Sequence, residues 1–531
     1  MVLTGMFMLG QLTCFLIGGL IAPKPSTAQY NLCTKCYDST GNRTRWLYPR
    51  GKGACKQLES LDSALQAENV VFTFQVPLPR DNVTLDYTRW QQNLIGILQM
   101  DILYSKDSPV EEGAKLLLDA RLAYANWKPG RKGQTNWEWY AESIEERVLE
   151  CTISEKKEGH PYVCELIPLF ELGSLHHDFY LLNIRLPVFK NKPHNKGIGI
   201  PQDMYLVTIY QNGGFTKVWF SIKTVFTPIV LAALVWFWKR VEAQGRPPVL
   251  LEKMILALGV ALQFLNIPVE WFTLYFDMPY MLLISDVRQG IFYAALLSFW
   301  LVFTGEHLME SSGERSTLRT YWKHLSAVVT GCLALFLFDL CERGAHLANC
   351  FYSLWATPVG TRLALALIIA AGVSASLYFM FLCWTMWKVF RNISAKRTTL
   401  PAMSAVRRLH YQGIIYRFKF LMLTTLVCAA MTVIGFILGQ VTEDKWKWES
   451  GNTALEIEYT SAFYTGVYGM WNIYTLALLC LYAPSHKLYP PERDPYASTN
   501  SGAEEIEFSR LDTDTTEISA LASFAKKAAT D

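Results

Sequence analysis

Six ionisable residues, Glu270, Asp286, Arg288, Asp339, Glu342 and Arg343, stand toward the ends of long apolar runs. Runs of that length are membrane spans, and a charge carried toward hydrocarbon is costly unless it is paired or faces water. The chemistry open to such a set is electrostatic. Either it closes the top of a helix bundle with ion pairs, or it gates a cavity that admits something from that side. Arg288 lies near enough to neutralise Asp286 or Glu270, and long side chains at helix ends can also reach back to the interface. In both readings the six form one polar collar.

Covalent chemistry has fewer candidates. The chain contains no HExxH, GxSxG or Walker A pattern and no intramembrane aspartate pair in a protease-like setting. His307, His324 and His410 fall on different elements at the membrane face opposite the collar. No catalytic residue, metal or cofactor is assigned, and the chain is read as a non-enzyme.

The cysteines point instead to cross-links. Cys151 and Cys164 bracket a hairpin-sized loop containing Lys156, Lys157, Glu158 and Gly159, which makes their disulfide the simplest pairing. Cys33, Cys36 and Cys55 leave one thiol over; Cys36 with Cys55 is preferred, and the pairing of Cys33 stays open. The Cys33-Thr34-Lys35-Cys36 spacing also fits half of a redox or zinc site, but no second pair or histidine cluster lies beside it. Disulfides imply an oxidising compartment. Asn42-Arg43-Thr44 and Asn82-Val83-Thr84 are sequons in the same region, so Asn42 and Asn82 are expected to carry glycans.

Composition sets the elements that must hold these residues. Of 531 residues, 51% are hydrophobic and 18% charged, with a mean hydropathy of +0.15, whereas soluble chains carry about 25% charge. The net charge is +3, so no global field recruits nucleic acid. At roughly 20 apolar residues per crossing, spans are expected at 3–22, 218–238, 250–273, 281–304, 324–343, 363–388, 419–440 and 461–483. The chain then divides into an N-terminal anchor (1–22), a soluble domain (23–217), a seven-helix bundle (218–483) and a disordered polar tail (484–531).

Orientation follows from Lys and Arg in the short loops. Lys239, Arg240, Arg246 and Lys253, then Arg315, Arg319 and Lys323, then Lys388, Arg391, Lys396, Arg397, Arg407, Arg408, Arg417 and Lys419 mark three loops as cytosolic. The alternate loops hold only Lys445 and Lys447, which places the soluble domain in the lumen or outside and the tail in the cytosol. Ser26 and Ala28 fit the −3 and −1 positions of a signal-peptidase site. The lack of Lys or Arg before the run, and its continuation through Gly18-Gly19-Leu20-Ile21, argue against cleavage. The residues alone leave the two open.

The soluble domain reads as strands. Val70, Phe72, Phe74 and Val76 alternate as a half-buried strand requires, and the same period recurs at Leu116, Leu118, Ala120 and Leu122, at Tyr180, Leu182, Ile184 and Leu186, and at Tyr205, Val207 and Ile209. Several short strands separated by turns predict an all-β sandwich.

Longer motifs carry a family resemblance. Gln211-Asn212-Gly213-Gly214-Phe215-Thr216-Lys217-Val218-Trp219-Phe220, Arg246-Pro247-Pro248-Val249-Leu250-Leu251-Glu252-Lys253, Asn266-Ile267-Pro268-Val269-Glu270-Trp271-Phe272, Cys341-Glu342-Arg343-Gly344 and Leu481-Tyr482-Ala483-Pro484-Ser485-His486-Lys487 resemble the Wntless (Evi, Sprinter) family. With Arg288-Gln289-Gly290-Ile291-Phe292-Tyr293 and Leu400-Pro401-Ala402-Met403-Ser404 they run in order along nearly the whole chain.

The resemblance implies a GOLD-like luminal sandwich, a last seven-helix bundle arranged somewhat like a G-protein-coupled receptor, and an uncleaved first helix with both termini cytosolic. It implies binding of palmitoleoylated Wnt in the ER and Golgi, carriage to the plasma membrane, and return through endosomes with a clathrin adaptor and retromer. Sheltering such an acyl chain is worth about 0.8 kcal/mol per buried CH2, on the order of 10 kcal/mol in all. Phe292, Tyr293, Phe299, Gly331 and Phe336 are the expected lining, alongside membrane lipid. Tyr411-Gln412-Gly413-Ile414 fits a tyrosine-x-x-bulky endocytic signal, with Tyr411 and Ile414 its recognition residues. The alternative class is a seven-helix signalling receptor. The chain lacks the Asp/Glu-Arg-Tyr triplet such a receptor needs, and its last span reads Trp471-Asn472-Ile473-Tyr474 in place of Asn-Pro-x-x-Tyr.

Overall fold

Leu116, Leu118, Ala120 and Leu122 all point into one core, opposite Leu94, Leu98, Met100, Met204 and Leu206 from a second sheet. A computed structural model describes residues 2–37, 47–50, 55–58, 70–78, 85–126, 136–188, 194–309, 321–399, 415–416, 418–432, 434 and 458–484. Its strands are β1 Ser26–Leu32, β2 Thr34–Tyr37, β3 Lys56–Gln57, β4 Val70–Val76, β5 Gln92–Leu103, β6 Ala114–Ala125, β7 Glu138–Leu149, β8 Cys151–Thr152, β9 Val163–Cys164, β10 Ile167–Leu172, β11 Phe179–Arg185 and β12 Ile200–Gln211. One sheet runs β1-β12-β5-β10 and the other β3-β2-β4-β11-β6-β7, with antiparallel pairing throughout. Two antiparallel sheets closing on a shared core form a β-sandwich.

The alternation predicted at β4 is only half the account. Its residues are buried on both faces, because Val71 on the side away from the core lies under Cys36, Cys55 and Tyr48. The Cys36–Cys55 disulfide holds that cover in place, and Cys151–Cys164 ties β8 to β9. Cys33 is a buried free thiol in the sandwich core. Burial pushes it up to about 11, so it stays a protonated thiol.

The helices are α1 Val2–Leu16, continued by a π-turn at Ile17–Ile21, then α2 Gly213–Glu242, α3 Leu250–Asn266, α4 Met281–Met309, α5 Trp322–Ala348, α6 Pro358–Thr399, α7 Phe418–Thr432 and α8 Glu458–Leu481. Among the described residues, α2 to α6 define five stretches long and apolar enough to cross a membrane: Gly213–Glu242, Leu250–Leu274, Met281–Glu306, Trp322–Ala348 and Pro358–Ser394. The chain is a multi-pass helical membrane protein with a β-sandwich domain.

Hydropathy sorts the helices by neighbour. α5 and α6 are strongly apolar and expose Val329, Leu333, Ile369, Phe379 and Met380 outward. α8 carries Ser461, Thr465, Asn472 and Thr475, all fully buried, because it faces protein instead of lipid. Gly466 and Gly469 let α1 lie close against it: a Cβ on Gly466 would meet Phe15 at 2.3 Å, and one on Gly469 would meet Cys14 Sγ at 2.4 Å.

Candidate functional site at the junction of sandwich and helices

The residues linking β12 to α2 are few, and the sandwich therefore sits directly on the helix ends. Asn212 caps α2 by accepting from Gly214 N at 2.9 Å. Further contacts fix the seat. Arg89 donates from Nη1 to Leu274 O at 3.0 Å, and Trp90 packs edge-on against Trp271. The loop after α5 enters the sandwich itself, where Cys350 and Phe351 are core residues and Phe170 packs on Phe351. Arg147 donates to Phe351 O at 2.7 Å, and Glu171 N donates to Cys350 O at 2.9 Å. Gly173 marks how close the approach is, since a Cβ there would stand 2.2 Å from Pro279 O.

The six expected collar residues separate into two clusters, with two left over. In the first, Glu270 in the 3-10 turn Val269–Leu274 pairs with Arg288 of α4 at 3.1 Å and with Lys223 of α2. Arg288, only 1% exposed, also donates to the carbonyls of Phe264, Leu265 and Ile267. The carbonyls of Phe264 and Leu265 lose their helix donors where Pro268 ends α3, while that of Ile267 also accepts from Val269 N at 2.8 Å, and a guanidinium with five donors in a fork is suited to collect them. Asn266 extends the network, donating to Asn472 Oδ1 at 2.6 Å and accepting from Tyr468 at 2.6 Å. Lys223, Asn266, Tyr468 and Asn472 were missed in the sequence, although a lysine inside an apolar run is the same signal that flags Glu270.

In the second cluster Arg343 of α5 reaches Asp286 of α4 at 2.7 Å and Glu171 of β10 at 3.1 Å. His346 lies with Nδ1 3.3 Å from the other oxygen of Glu171, while its Nε2 meets Tyr352 O at 2.8 Å. Burial raises the Glu171 carboxyl, but the bond from His346 and the charge of Arg343 outweigh it, and the net direction is downward. Glu171 has no apolar-run signal, so nothing in the sequence pointed to it. A cavity of about 250 Å³ opens beside this cluster, lined by Tyr140, Glu171, Arg343, His346 and Cys350 among others. Asp339 and Glu342 join no ion pair among the described residues. Arg288 thus serves Glu270, one of its two expected partners, Arg343 serves Asp286, and among the described residues no ion pair joins the two sets.

The five expected lining residues do not converge either. Phe292 and Phe299 are 1% and 0% exposed, packed with Leu296, Phe303 and Trp471 in the helix core, with Tyr293 partly buried against the same group. Aromatic bulk there packs between α3, α4 and α8. Gly331 faces Ser374 of α6, and Phe336 points outward at 39% exposure. Tyr411, Ile414, Asn42 and Asn82 lie outside the described residues.

With this geometry in place, the comparisons with known proteins are specific. A family model described as "Wntless-like, transmembrane domain" matches residues 212–486, and another described as "Wntless, GOLD domain" matches residues 34–211. The chain is 53% identical to "Protein wntless" of Drosophila virilis and 54% identical to that of Drosophila mojavensis. Each comparison spans 553 residues and covers 100% of this chain and 97% of the relative. A likeness that runs unbroken through the sandwich, the junction and the helices shows that the chain belongs to the Wntless family.

Proposed function

We propose that this protein is a cargo receptor that binds palmitoleoylated Wnt proteins in the ER and Golgi, carries them to the plasma membrane and returns through endosomes. It acts by binding and transport, without catalysis. The observation that carries the reading is the full-length identity to proteins named wntless. The division of labour follows from the architecture. A sandwich seated on the helix ends grips the protein part of the cargo, and the apolar surface of the helices shelters the acyl chain.

Of the five residues first expected to line the lipid path, Phe336 is the one open to a chain, and it stands on α5, a helix that buries little of itself. We propose that the path runs along α5, with Gly331 at its contact with α6 and the packed Phe292, Tyr293 and Phe299 as support from α4. The two charge clusters hold the helix ends around that path. Asn42 and Asn82 carry glycans on the same side as the sandwich, the tail and the Tyr411 signal face the cytosol, and a clathrin adaptor and retromer are the partners there.

The test is co-purification with a Wnt and, in parallel, with the same Wnt lacking its acylated serine. Capture of the acylated form alone supports the reading. Equal capture of both would remove the acyl path, and capture of neither would remove the cargo assignment.

A further inference from the structure

Between Glu342 and Glu443 the sequence contains no Asp or Glu, while it carries Arg343, Arg362, Lys388, Arg391, Lys396, Arg397, Arg407, Arg408, Arg417 and Lys419. Most of the cations in that stretch follow the apolar part of α6, at the membrane face remote from the sandwich. α6 enters the membrane at Pro358, directly after the loop that docks into the sandwich, and its far end therefore meets the opposite leaflet.

Four residues there share one stripe of the helix. Phe381, Trp384, Lys388 and Arg391 are spaced 3, 4 and 3 apart, the interval that places side chains above one another on an α-helix. Lys388 Nζ lies 3.5 Å from the centre of the Trp384 ring, and Arg391 lies 5.9 Å from that of Trp387. Phe381 stacks at 3.7 Å on His324, which brings the first turn of α5, with exposed Trp322 and Lys323, against the same stripe. Phe381 and Trp384 are themselves in contact at 5.9 Å.

The cations here rest on aromatic rings. A ring quadrupole orients a cation but leaves its formal charge uncancelled. Trp384 and Trp387 remain 47% and 60% exposed, so the cluster presents charge and flat apolar surface together at the level of the headgroups. Basic clefts between helix ends on this side of a membrane match a phosphate-bearing headgroup. The rings match its glycerol and upper acyl carbons.

The geometry points to a binding site for an anionic phospholipid between the start of α5 and the end of α6. Lys323, Lys388 and Arg391 engage the headgroup phosphate, and Trp384 and Trp387 flank the glycerol region. The occupant is a bilayer lipid because the stripe continues directly into the apolar helix surface, where a free phosphate would gain nothing from the rings. The site is independent of cargo, on the opposite side of the membrane from the sandwich.

The test uses the full chain in phosphatidylcholine nanodiscs doped with a photo-crosslinkable phosphatidylinositol phosphate. Label is expected on the peptides containing Trp322–His324 and Phe381–Arg391, in excess over a crosslinkable phosphatidylcholine. Lys388→Gln with Arg391→Gln is expected to lower it roughly twenty-five-fold, at about fivefold per cation, while Lys388→Arg retains it. Arg391 is exposed, so Arg391→Gln alone serves as the variant that leaves the packing intact, with roughly a fivefold loss expected. Label spread evenly over all helix ends, or unchanged in the double variant, would overturn the site. Full displacement by an equal concentration of soluble inositol phosphate would overturn the lipid as its occupant.

Discussion

The Nη1 of Arg343, near the end of α5, lies 3.1 Å from Oε1 of Glu171 on β10, joining residues 172 apart in sequence across the boundary between helices and sandwich. The same guanidinium holds Asp286 of α4 at 2.7 Å. One side chain therefore ties two helices to one sheet, and the sandwich cannot tilt without breaking it.

Arg343→Ala leaves Glu171 with His346 and leaves Asp286 without its partner. A third of Arg343 is still solvent-exposed, and screening limits the cost to about 1–2 kcal/mol. Hydrogen exchange in residues 349–356 is expected to quicken while the middle of β6 stays protected. Unchanged exchange in that loop would mean that the pair does not latch the junction.

Phe351 is a different kind of tie. It is fully buried in the sandwich core although it belongs to the loop between two membrane helices. Phe351→Ala removes a buried ring at about 3–4 kcal/mol, whereas Phe351→Leu costs less because most of the volume is kept. Limited proteolysis of the loop reports the difference, with cleavage expected for alanine before leucine and for leucine before the native residue.

Arg288→Met strips the carbonyls of Phe264 and Leu265 of the guanidinium donor, leaves Ile267 O with Val269 N only, and leaves Glu270 with Lys223 alone. Breaking a buried pair from one side costs about 3–5 kcal/mol. Arg288→Lys keeps the charge but cannot form the fork, and its thermal midpoint in detergent is expected to fall between those of the native protein and the methionine variant. Equal midpoints for lysine and arginine would show that charge alone matters there.

Acid weakens the junction through Glu171. Its carboxyl is held below its ordinary value of 4.5, so its contribution is fully present above about pH 4.5 and is lost as pH falls through the lower folded value. Exchange in residues 349–356, corrected for intrinsic rates, should rise as pH falls below about 4.5, and Glu171→Gln should abolish that rise.

Tyr411→Ala is expected to leave cargo capture intact and to raise the surface level of the protein severalfold by slowing uptake. Antibody-uptake assays in intact cells measure both. Normal uptake by the variant would remove Tyr411 and Ile414 from the signal.

Five of the eight expected membrane spans, the strand positions and the family were legible in the residues, because burial in lipid or in a sheet face imposes a period or a run length on the local sequence. Val70 to Val76 and Leu116 to Leu122 state their strands that way, and the apolar run of α6 states its span. Charge position was legible too, which is why Glu270, Asp286, Arg288 and Arg343 stood out.

Who meets whom was not legible. Arg288 could pair with Asp286, its near neighbour in sequence, or with Glu270, 18 residues away, and the choice was settled by the free carbonyls of Phe264 and Leu265 at the end of α3, which draw the guanidinium to that side. Glu171 and Phe351 gained their roles only when the sandwich came to rest on the helix ends, since nothing local distinguishes a strand glutamate or a loop phenylalanine. Phe292 and Phe299 show the converse. An aromatic in a span looks the same whether it lines a path or fills a core, and only close packing against Trp471 and Phe303 decided that these two fill the core.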